Sequence, residues 1–305
     1  MNRGNRRKTT YNSRYAKRRK KLLRKKLIAV GACLVVVAAI VFVLVTLANK
    51  PSDNKKTVSE EPKSTELSTE AATEKITEKE TETEQKTETK DGIIESKNGK
   101  TLYLTFDDGP SENTDEILEI LDQYGVKATF FVLAIEGEED HYKEIIERGH
   151  EIGVHSTSHD YDTVYANLDS FKEDVSYCRN LVEEATGHKL FLYRFPGGTN
   201  NEVHNVSISS CIEYLDSVEL KHFDWNVSSG DAAGVTVDKE EIKNNIFEQV
   251  RGNNDEVIVV LMHDSSAKTT TVEALREYLP ILIEEGFGFS KITPDTPEIT
   301  FSAYD

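Results

Sequence analysis

The sequence predicts an α/β domain built on a parallel sheet, open or closed into a barrel, and two observations predict this fold class. Strand-like and helix-like stretches alternate over roughly the last 200 of the 305 residues, and repeated β-α units of this kind form parallel sheets. Charged and imidazole side chains also recur where the predicted strands end, which is where such folds place their sites. The composition changes sharply before this region, so segments of another kind precede the domain.

The N-terminal part predicts a membrane anchor. Residues 1–26 contain 13 Lys or Arg and no acid; since the whole chain carries −17, the remainder carries −30. Residues 27–48 are 22 residues without a charge, and about 20 apolar residues cross a bilayer. The positive-inside rule then makes the basic block cytoplasmic and the C-terminal bulk extracellular, which explains the block better than nucleic-acid binding does. A signal peptide cleaved near Ala48 is the alternative, but the apolar run exceeds the ~7–15 residues of a signal core.

Residues 49–98 predict a disordered linker. They are rich in Thr, Glu and Lys and contain few aromatic or large aliphatic side chains, so they cannot bury enough apolar surface to offset the entropy of ordering. As a flexible coil, the segment would span on the order of 40 Å. Its alternative role is that of a partner-binding region. Residues 99–305 follow and are long enough for one well-buried domain.

Within residues 99–305 the hydrophobic pattern predicts seven strands and six helices. The strands are predicted at 101–106, 128–134, 151–155, 191–195, 221–227, 257–262 and 287–292. The helices are predicted at 114–124, 140–148, 167–186, 203–218, 238–251 and 271–285. Cys178 and Cys211 lie on two of these helices, and the sequence leaves open whether they form a disulfide.

The first predicted strand ends in two adjacent carboxylates, Asp107 and Asp108, followed by a Gly109-Pro110 turn. Like charges this close repel each other unless a cation or a basic side chain separates their roles. A solvated Asp-Asp-Gly turn fits this short stretch equally well. The residues downstream favour a site.

His155 and His159 follow the third predicted strand. Imidazoles four residues apart are expected to share one face of a helical turn, and this spacing suits two ligands of one metal. Together with a carboxylate, the pair favours zinc or a similar first-row divalent ion. Two His and one Asp would leave a coordination position for water, as a catalytic site requires.

Three further strand ends carry candidate residues. Arg194 is either a surface charge or the partner that keeps a carboxylate ionised, and the turn at Gly197 exposes N–H groups suited to a developing oxyanion. Trp225, the only tryptophan, either packs in the core or flanks a sugar ring. His263 follows a buried strand and suits a general acid, particularly with a carboxylate partner that raises its pKa.

Five motifs in the order Thr-Phe-Asp-Asp-Gly-Pro, His-Ser-x-x-His, Arg-x-Pro-Gly-Gly, Trp-x-Val-x-x-x-Asp and Leu-Met-His-Asp resemble those of the polysaccharide deacetylases. These are the enzymes of carbohydrate esterase family 4, with a NodB-homology domain, and the resemblance covers roughly residues 98–292. It implies a distorted (β/α) barrel of seven or eight strands, with a metal cleft at the carboxyl ends of the strands. It also implies hydrolysis of N-acetyl, or less often O-acetyl, groups on a polysaccharide.

The resemblance further implies a role for each matching residue. One divalent ion, zinc with cobalt, nickel or manganese as alternatives, would be bound by Asp108, His155 and His159. The general base, the general acid and the residues that hold them would be Asp107, His263, Arg194 and Asp231. The substrate contacts would be Gly197, Leu261 and Trp225. The chain departs from the family pattern at three positions. Many members have Tyr at the position of Gly197, Asp is common at that of Ser228, and Ala232 replaces the Trp that often follows the Asp at position 231.

Topology and resemblance together predict a single-pass, membrane-anchored deacetylase of extracellular cell-wall polysaccharide, with the N-acetylglucosamine of peptidoglycan as substrate. Chitin oligomers, an exopolysaccharide and O-acetylated xylan are alternative substrates. A non-catalytic wall-binding module and a stalked adhesin are alternatives of another class, while a two-metal phosphoesterase would collect more Asp and His ligands. No nucleic-acid or protein partner is implied.

Overall fold

The computed structural model describes residues 93–202 and 205–301. The predicted transmembrane helix at 27–48 and most of the predicted linker at 49–98 lie outside these ranges. In the part that is described, no helix combines the length and the apolar character needed to cross a membrane. Ile94 already pairs with Phe289 through two backbone hydrogen bonds, so contacts with the domain begin five residues before its predicted start at residue 99.

One eight-stranded sheet organises these residues, and every pairing between its strands is parallel. The strands are β1 (Thr101–Asp107), β2 (Thr129–Leu133), β3 (Glu151–Ser156), β4 (Leu192–Tyr193), β5 (Lys221–His222), β6 (Val227–Ser228), β7 (Val257–His263) and β8 (Gly288–Phe289). Their order across the sheet is β5-β4-β3-β2-β1-β7-β6, and β8 pairs with the beginning of β1.

Helices connect these strands, as the alternating pattern predicts. They are α1 (Thr114–Gln123), α2 (Glu139–Glu147), α3 (Tyr161–Val164), α4 (Leu168–Thr186), α5 (Ile208–Ser217), α6 (Lys239–Gly252) and α7 (Thr269–Glu284), with a 3₁₀ turn at Asp231–Ala233. The sequence did not predict α3 or the 3₁₀ turn. The helix predicted at 203–218 corresponds to α5, which begins only at Ile208, because the Ser207 side chain caps it by accepting a hydrogen bond from the Ser210 N–H. Residues 203–204 are outside the described ranges.

The strand predicted at 221–227 is wrong as a single element, because the structure divides it between β5 and β6 at opposite edges of the sheet. Residues 223–226 connect the two edges and can span at most about 18 Å, so the edges must approach each other. The sheet therefore curls into an incomplete barrel. Within the connection, the Asp224 N–H donates to the carbonyl of Ile299 and the Asn226 N–H donates to that of Val259, which replaces regular strand pairing.

Side chains of β1 alternate between two hydrophobic layers. Leu102, Leu104 and Phe106 are buried in the large cluster that includes the helices. On the other face, Tyr103 packs against the smaller cluster of Phe131, Leu192, Phe223 and Ile292 inside the curled sheet. Thr105 and Asp107 follow Tyr103 with the period of two that a strand imposes, so the inner face becomes polar towards the carboxyl end of β1.

Both cysteines of the described domain are free and buried, which answers the question that the sequence left open. The Cys178 thiol donates to the carbonyl of Val132 at 3.4 Å, and burial raises its pKa well above the usual range. Cys178 is therefore a buried thiol.

Candidate active site

The register between β1 and β7 places two candidate residues side by side. Asp107 is the partner of His263 in this pairing, and neighbouring strands lie about 4.8 Å apart. The Asp264 N–H then donates to the carbonyl of Asp107 at 2.7 Å. Because both strands end at this point, the predicted base and the predicted acid emerge at the same edge of the sheet.

Asp108, His155 and His159 form a group that could hold a metal ion, because their ligand atoms all lie within 4.8 Å of one another. The Asp108 Oδ1 atom lies 3.5 Å from Nε2 of His155 and 3.5 Å from Nε2 of His159. Ligands of a tetrahedral zinc ion with bonds near 2.1 Å are about 3.4 Å apart. Asp108 Oδ1 is buried and has no hydrogen-bond partner in the described ranges, so this donor set fits one divalent cation.

The expectation that His155 and His159 share one face of a helical turn is wrong. His155 lies on β3, whereas His159 lies in the following turn with a left-handed backbone, at φ 51°. The Ser156 hydroxyl accepts hydrogen bonds from the backbone N–H groups of Ser158 and His159, which tightens this turn. The spacing of four residues therefore brings the imidazoles together through a strand end and a tight turn.

Burial lowers the pKa of His155 to about 3, so its imidazole is neutral at physiological pH. Its Nδ1 atom lies 2.8 Å from the carbonyl of Arg194 and must therefore carry the ring proton. This tautomer leaves the Nε2 lone pair free to face Asp108. A neutral imidazole with this orientation is the form that coordinates a metal.

Arg194 is fully buried and not a surface charge. Its Nη1 atom donates to Asp107 Oδ1 at 2.9 Å and to the Thr105 hydroxyl at 2.6 Å, while Nε donates to the carbonyl of Phe223 at 2.9 Å. Burial raises the pKa of Asp107, and the charge and hydrogen bond of Arg194 oppose this rise. Asp107 is thus a more basic carboxylate than one in water, held in one orientation.

Asp231 orients His263 through two hydrogen bonds. Its Oδ1 atom lies 2.7 Å from His263 Nδ1, and its Oδ2 atom accepts from the His263 backbone N–H at 2.9 Å. Burial alone would lower the pKa of His263, but the hydrogen bond and charge of Asp231 outweigh it, so the pKa is raised. The Thr271 hydroxyl also donates to Asp231, and Lys268 Nζ donates to the Asp231 carbonyl.

The three predicted substrate contacts lie in different environments. Gly197 is exposed at φ 80°, and Leu261 is buried on β7. Trp225 is half-buried and packs edge-to-face on Phe301, with ring centroids 5.0 Å apart. Their contact with substrate stays a prediction.

Sequence reasoning missed four residues that shape the cleft. Tyr161 packs against His159, while Lys268 and Thr271 hold Asp231. Asp264 does not pair with its neighbour His263; it accepts hydrogen bonds from the hydroxyls of Ser111 and Thr114. The one local signal for Asp264 was its position directly after His263.

The carboxyl ends of the strands in this incomplete parallel barrel bring together a His₂Asp group, a carboxylate held by an arginine and a histidine held by a carboxylate. This arrangement is that of a metal-dependent hydrolase. Comparison with known proteins narrows this class. The family model described as polysaccharide deacetylase matches residues 94–211. The Bacillus subtilis protein YheN, whose name places it among polysaccharide deacetylases, is 31% identical over 204 residues, covering 64% of this chain and 68% of YheN.

Two further relatives carry more specific names. A peptidoglycan-N-acetylglucosamine deacetylase of Bacillus cereus is 28% identical over 209 residues, covering 66% of this chain and 72% of that protein. The crystal structure of the catalytic domain of peptidoglycan N-acetylglucosamine deacetylase from Eubacterium rectale superposes on this chain with a TM-score of 0.63, and the two sequences are 33% identical. This superposition covers 67% of the present chain and 93% of that domain. The chain belongs to the polysaccharide deacetylase family, as its motifs predict.

We expect the protein, after removal of metals by a chelator, to bind one equivalent of zinc in a calorimetric titration. At free zinc of about 100 Kd, the melting temperature should rise by roughly 5–10 °C. His159→Ala removes one ligand and should weaken binding by at least about 100-fold. His141→Ala changes a histidine paired with Glu138 on the neighbouring α2 and should bind zinc like the parent. Equal zinc affinity in the parent and His159→Ala would refute the assignment of this site.

The pH dependence of kcat/KM should report the pairing of His263 with Asp231. A general acid must carry its proton, so activity falls as pH rises through the pKa of His263. Asp231 raises that pKa, and Asp231→Asn should therefore move the alkaline limb to lower pH. Asp238→Asn changes an exposed cap of α6 and should leave the limb in place. An alkaline limb that stays unchanged in Asp231→Asn would contradict this assignment.

Proposed function

We propose that this protein hydrolyses N-acetyl groups on the N-acetylglucosamine of peptidoglycan, outside the cell, and releases acetate. The observation that carries the proposal is that one cleft contains the His₂Asp group and both supported residues, Asp107 held by Arg194 and His263 held by Asp231. Amide hydrolysis needs one group to take a proton from water and another to give a proton to the leaving nitrogen, and this cleft contains a residue suited to each step.

The metal site is formed by Asp108, His155 and His159. A bound divalent ion, for which we propose zinc, would supply Lewis acidity to the acetyl carbonyl and lower the pKa of the attacking water. The neutral state of His155 and the unpartnered Asp108 Oδ1 support the choice of these three residues. Zinc suits two imidazoles and one carboxylate, and cobalt, nickel and manganese remain the alternatives to test.

Asp107 is the base of the proposed mechanism. It takes one proton from the water as the oxygen of that water adds to the acetyl carbon. The raised pKa of this carboxylate favours proton uptake, and the hydrogen bond from Arg194 Nη1 to Oδ1 leaves Oδ2 free to take the proton. Asp107 Oδ2 lies 3.9 Å from His155 Nε2, so the base borders the site where the water would be held.

His263 completes the reaction as the acid. Its Nδ1 atom faces Asp231, so Nε2 is the atom that gives a proton to the sugar nitrogen as the C–N bond breaks. Acetate and a free amine result. On the acetyl oxygen, negative charge would be stabilised by the N–H of Gly197, which donates no hydrogen bond within residues 93–202 and 205–301. Leu261 would line the space for the acetyl methyl group, and Trp225 would contact the sugar.

The substrate and the location rest on the N-terminal sequence and on the relatives. A basic block, an uncharged run of 22 residues and a Thr/Glu-rich segment precede the domain, which favours a single-pass anchor and a linker that hold the enzyme at the cell wall. The Bacillus cereus and Eubacterium rectale proteins are named for peptidoglycan N-acetylglucosamine. Peptidoglycan is therefore the polymer we propose.

Acetate release from purified peptidoglycan tests the proposal. We expect the zinc-loaded protein to release acetate and leave free glucosamine in the digested polymer. Asp107→Asn should lower kcat by about 10²–10⁴-fold, the usual contribution of acid–base catalysis, and His159→Ala should lose most of its activity because it binds zinc far more weakly. His141→Ala is the matched control and should match the parent.

The choice of polymer is decided in the same assay. Release from chitin oligomers, an exopolysaccharide or acetylated xylan, but not from peptidoglycan, would keep the chemistry and replace the substrate. If the zinc-loaded protein released no acetate from any of these polymers, the proposed enzyme activity would be refuted in favour of a non-catalytic wall-binding module.

The proposed location has a separate test. In protoplasts that express the protein with a different tag at each end, an external protease should remove the C-terminal tag. The N-terminal tag should survive, because residues 1–26 would lie in the cytoplasm. Loss of both tags, or survival of both in intact protoplasts, would refute the proposed topology.

A further inference from the structure

Tyr161 is a half-buried tyrosine at the edge of the metal group. It begins α3, two residues after the candidate ligand His159, and the two ring centroids lie 5.4 Å apart. On its other side, Tyr161 packs edge-on against Tyr165, with centroids 5.8 Å apart. These two contacts fix the direction of the side chain.

The hydroxyl of Tyr161 reaches the turn that follows Arg194. A Cβ atom on Gly197 would lie 2.6 Å from the Tyr161 oxygen, so this hydroxyl occupies the space that a side chain at residue 197 would fill. Gly197 is exposed, and its N–H donates no hydrogen bond to the residues described. The phenol and this N–H therefore border the same small space beside the metal group.

The bonding of this hydroxyl differs from that of its neighbours. Tyr165 donates to the carbonyl of Pro196 at 2.9 Å, and Tyr142 donates to that of Leu133 at 2.6 Å. Within the described ranges, the Tyr161 hydroxyl donates no hydrogen bond. A tyrosine hydroxyl keeps its proton at neutral pH, because its usual pKa is about 10, so the Tyr161 oxygen has a proton to donate.

We propose that the Tyr161 hydroxyl donates a hydrogen bond to the acetyl oxygen of the substrate as negative charge builds on it, alongside the Gly197 N–H. This role rests on the proposed deacetylase function. A donor directed at developing charge acts mainly in the transition state. It should therefore affect kcat more than KM, whereas a sugar-binding hydroxyl would affect KM.

Tyr161→Phe tests the role, because it removes only the oxygen and keeps the ring on His159. Removal of one such donor lowers kcat by about 10²–10³-fold where the donor acts alone. Because the Gly197 N–H and the metal would also stabilise the oxyanion, we expect kcat of Tyr161→Phe to fall by about 10–100-fold. Its KM should stay within about 3-fold of the parent value. Tyr165→Phe is the matched control, since it removes a buried hydroxyl bonded to Pro196 and should leave kcat within about 3-fold. Zinc affinity and melting temperature are measured for both variants.

A binding measurement tests the same role without turnover. Methylphosphonate is a tetrahedral anion that resembles the acetyl group after water has added to it, and calorimetry gives its affinity for the zinc-loaded protein. We expect about 10-fold weaker binding in Tyr161→Phe and unchanged binding in Tyr165→Phe.

The outcomes separate this inference from the proposed function. An active parent with full kcat in Tyr161→Phe would overturn the inference, and so would a rise in KM alone. A parent that releases no acetate from any polymer would refute the proposed function. The methylphosphonate comparison would then still decide whether Tyr161 contributes to an anion site, and equal affinities would overturn it.

Discussion

The ion pair between Arg194 and Asp107 is the constraint on which the rest of the site depends. A buried guanidinium is costly unless its charge is paired and its N–H groups are bonded. Here one carboxylate pairs with it, and the Thr105 hydroxyl and the carbonyls of Phe223 and Asp224 accept the remaining bonds. These partners come from β1 and from the connection between the two sheet edges. The same residue that fixes Asp107 therefore also ties together the strand ends across which the cleft is built.

This pairing explains how two adjacent carboxylates can have different roles. Consecutive side chains of a regular strand point to opposite faces, so Asp107 and Asp108 could not both reach one cleft if β1 simply continued. Asp108 escapes the alternation through a left-handed backbone at φ 71°, and His159 is returned to the side of His155 by a turn in which its own φ is 51°. Such conformations cost of order 1–3 kcal/mol for residues other than glycine and are found at functional sites. Two of the three candidate ligands thus depend on local strain that the surrounding contacts maintain.

The sequence predicted the features that arise from local patterns and missed those that depend on distant contacts. Alternating or continuous apolar runs located β1, β2, β3 and β7 to within one or two residues, and the polar residues that end β1, β3 and β7 indicated the site. By contrast, the break between β5 and β6 follows from closure of the sheet and from Ile299, over 70 residues away. The left-handed turns and the position of Tyr161 likewise have no local signature. The spacing of His155 and His159 suggested a shared metal for a wrong geometric reason, because helix and tight turn both return the chain to one place.

The turn at Gly197 shows why a motif read position by position gives an incomplete account of a site. Glycine at residue 197 adds no side chain to the cleft. From the sequence alone, this glycine means only that the contacts of the Tyr side chain found in many family members are missing. In space the same volume is occupied by the Tyr161 oxygen, and any Cβ at residue 197 would collide with it. Glycine is therefore required twice, once for φ 80° and once to admit the phenol. Because Tyr161 follows His159 by two residues at the start of α3, the group that borders the third motif is positioned by the motif that contains His155 and His159. A substitution in either turn should consequently be interpreted as a change to both.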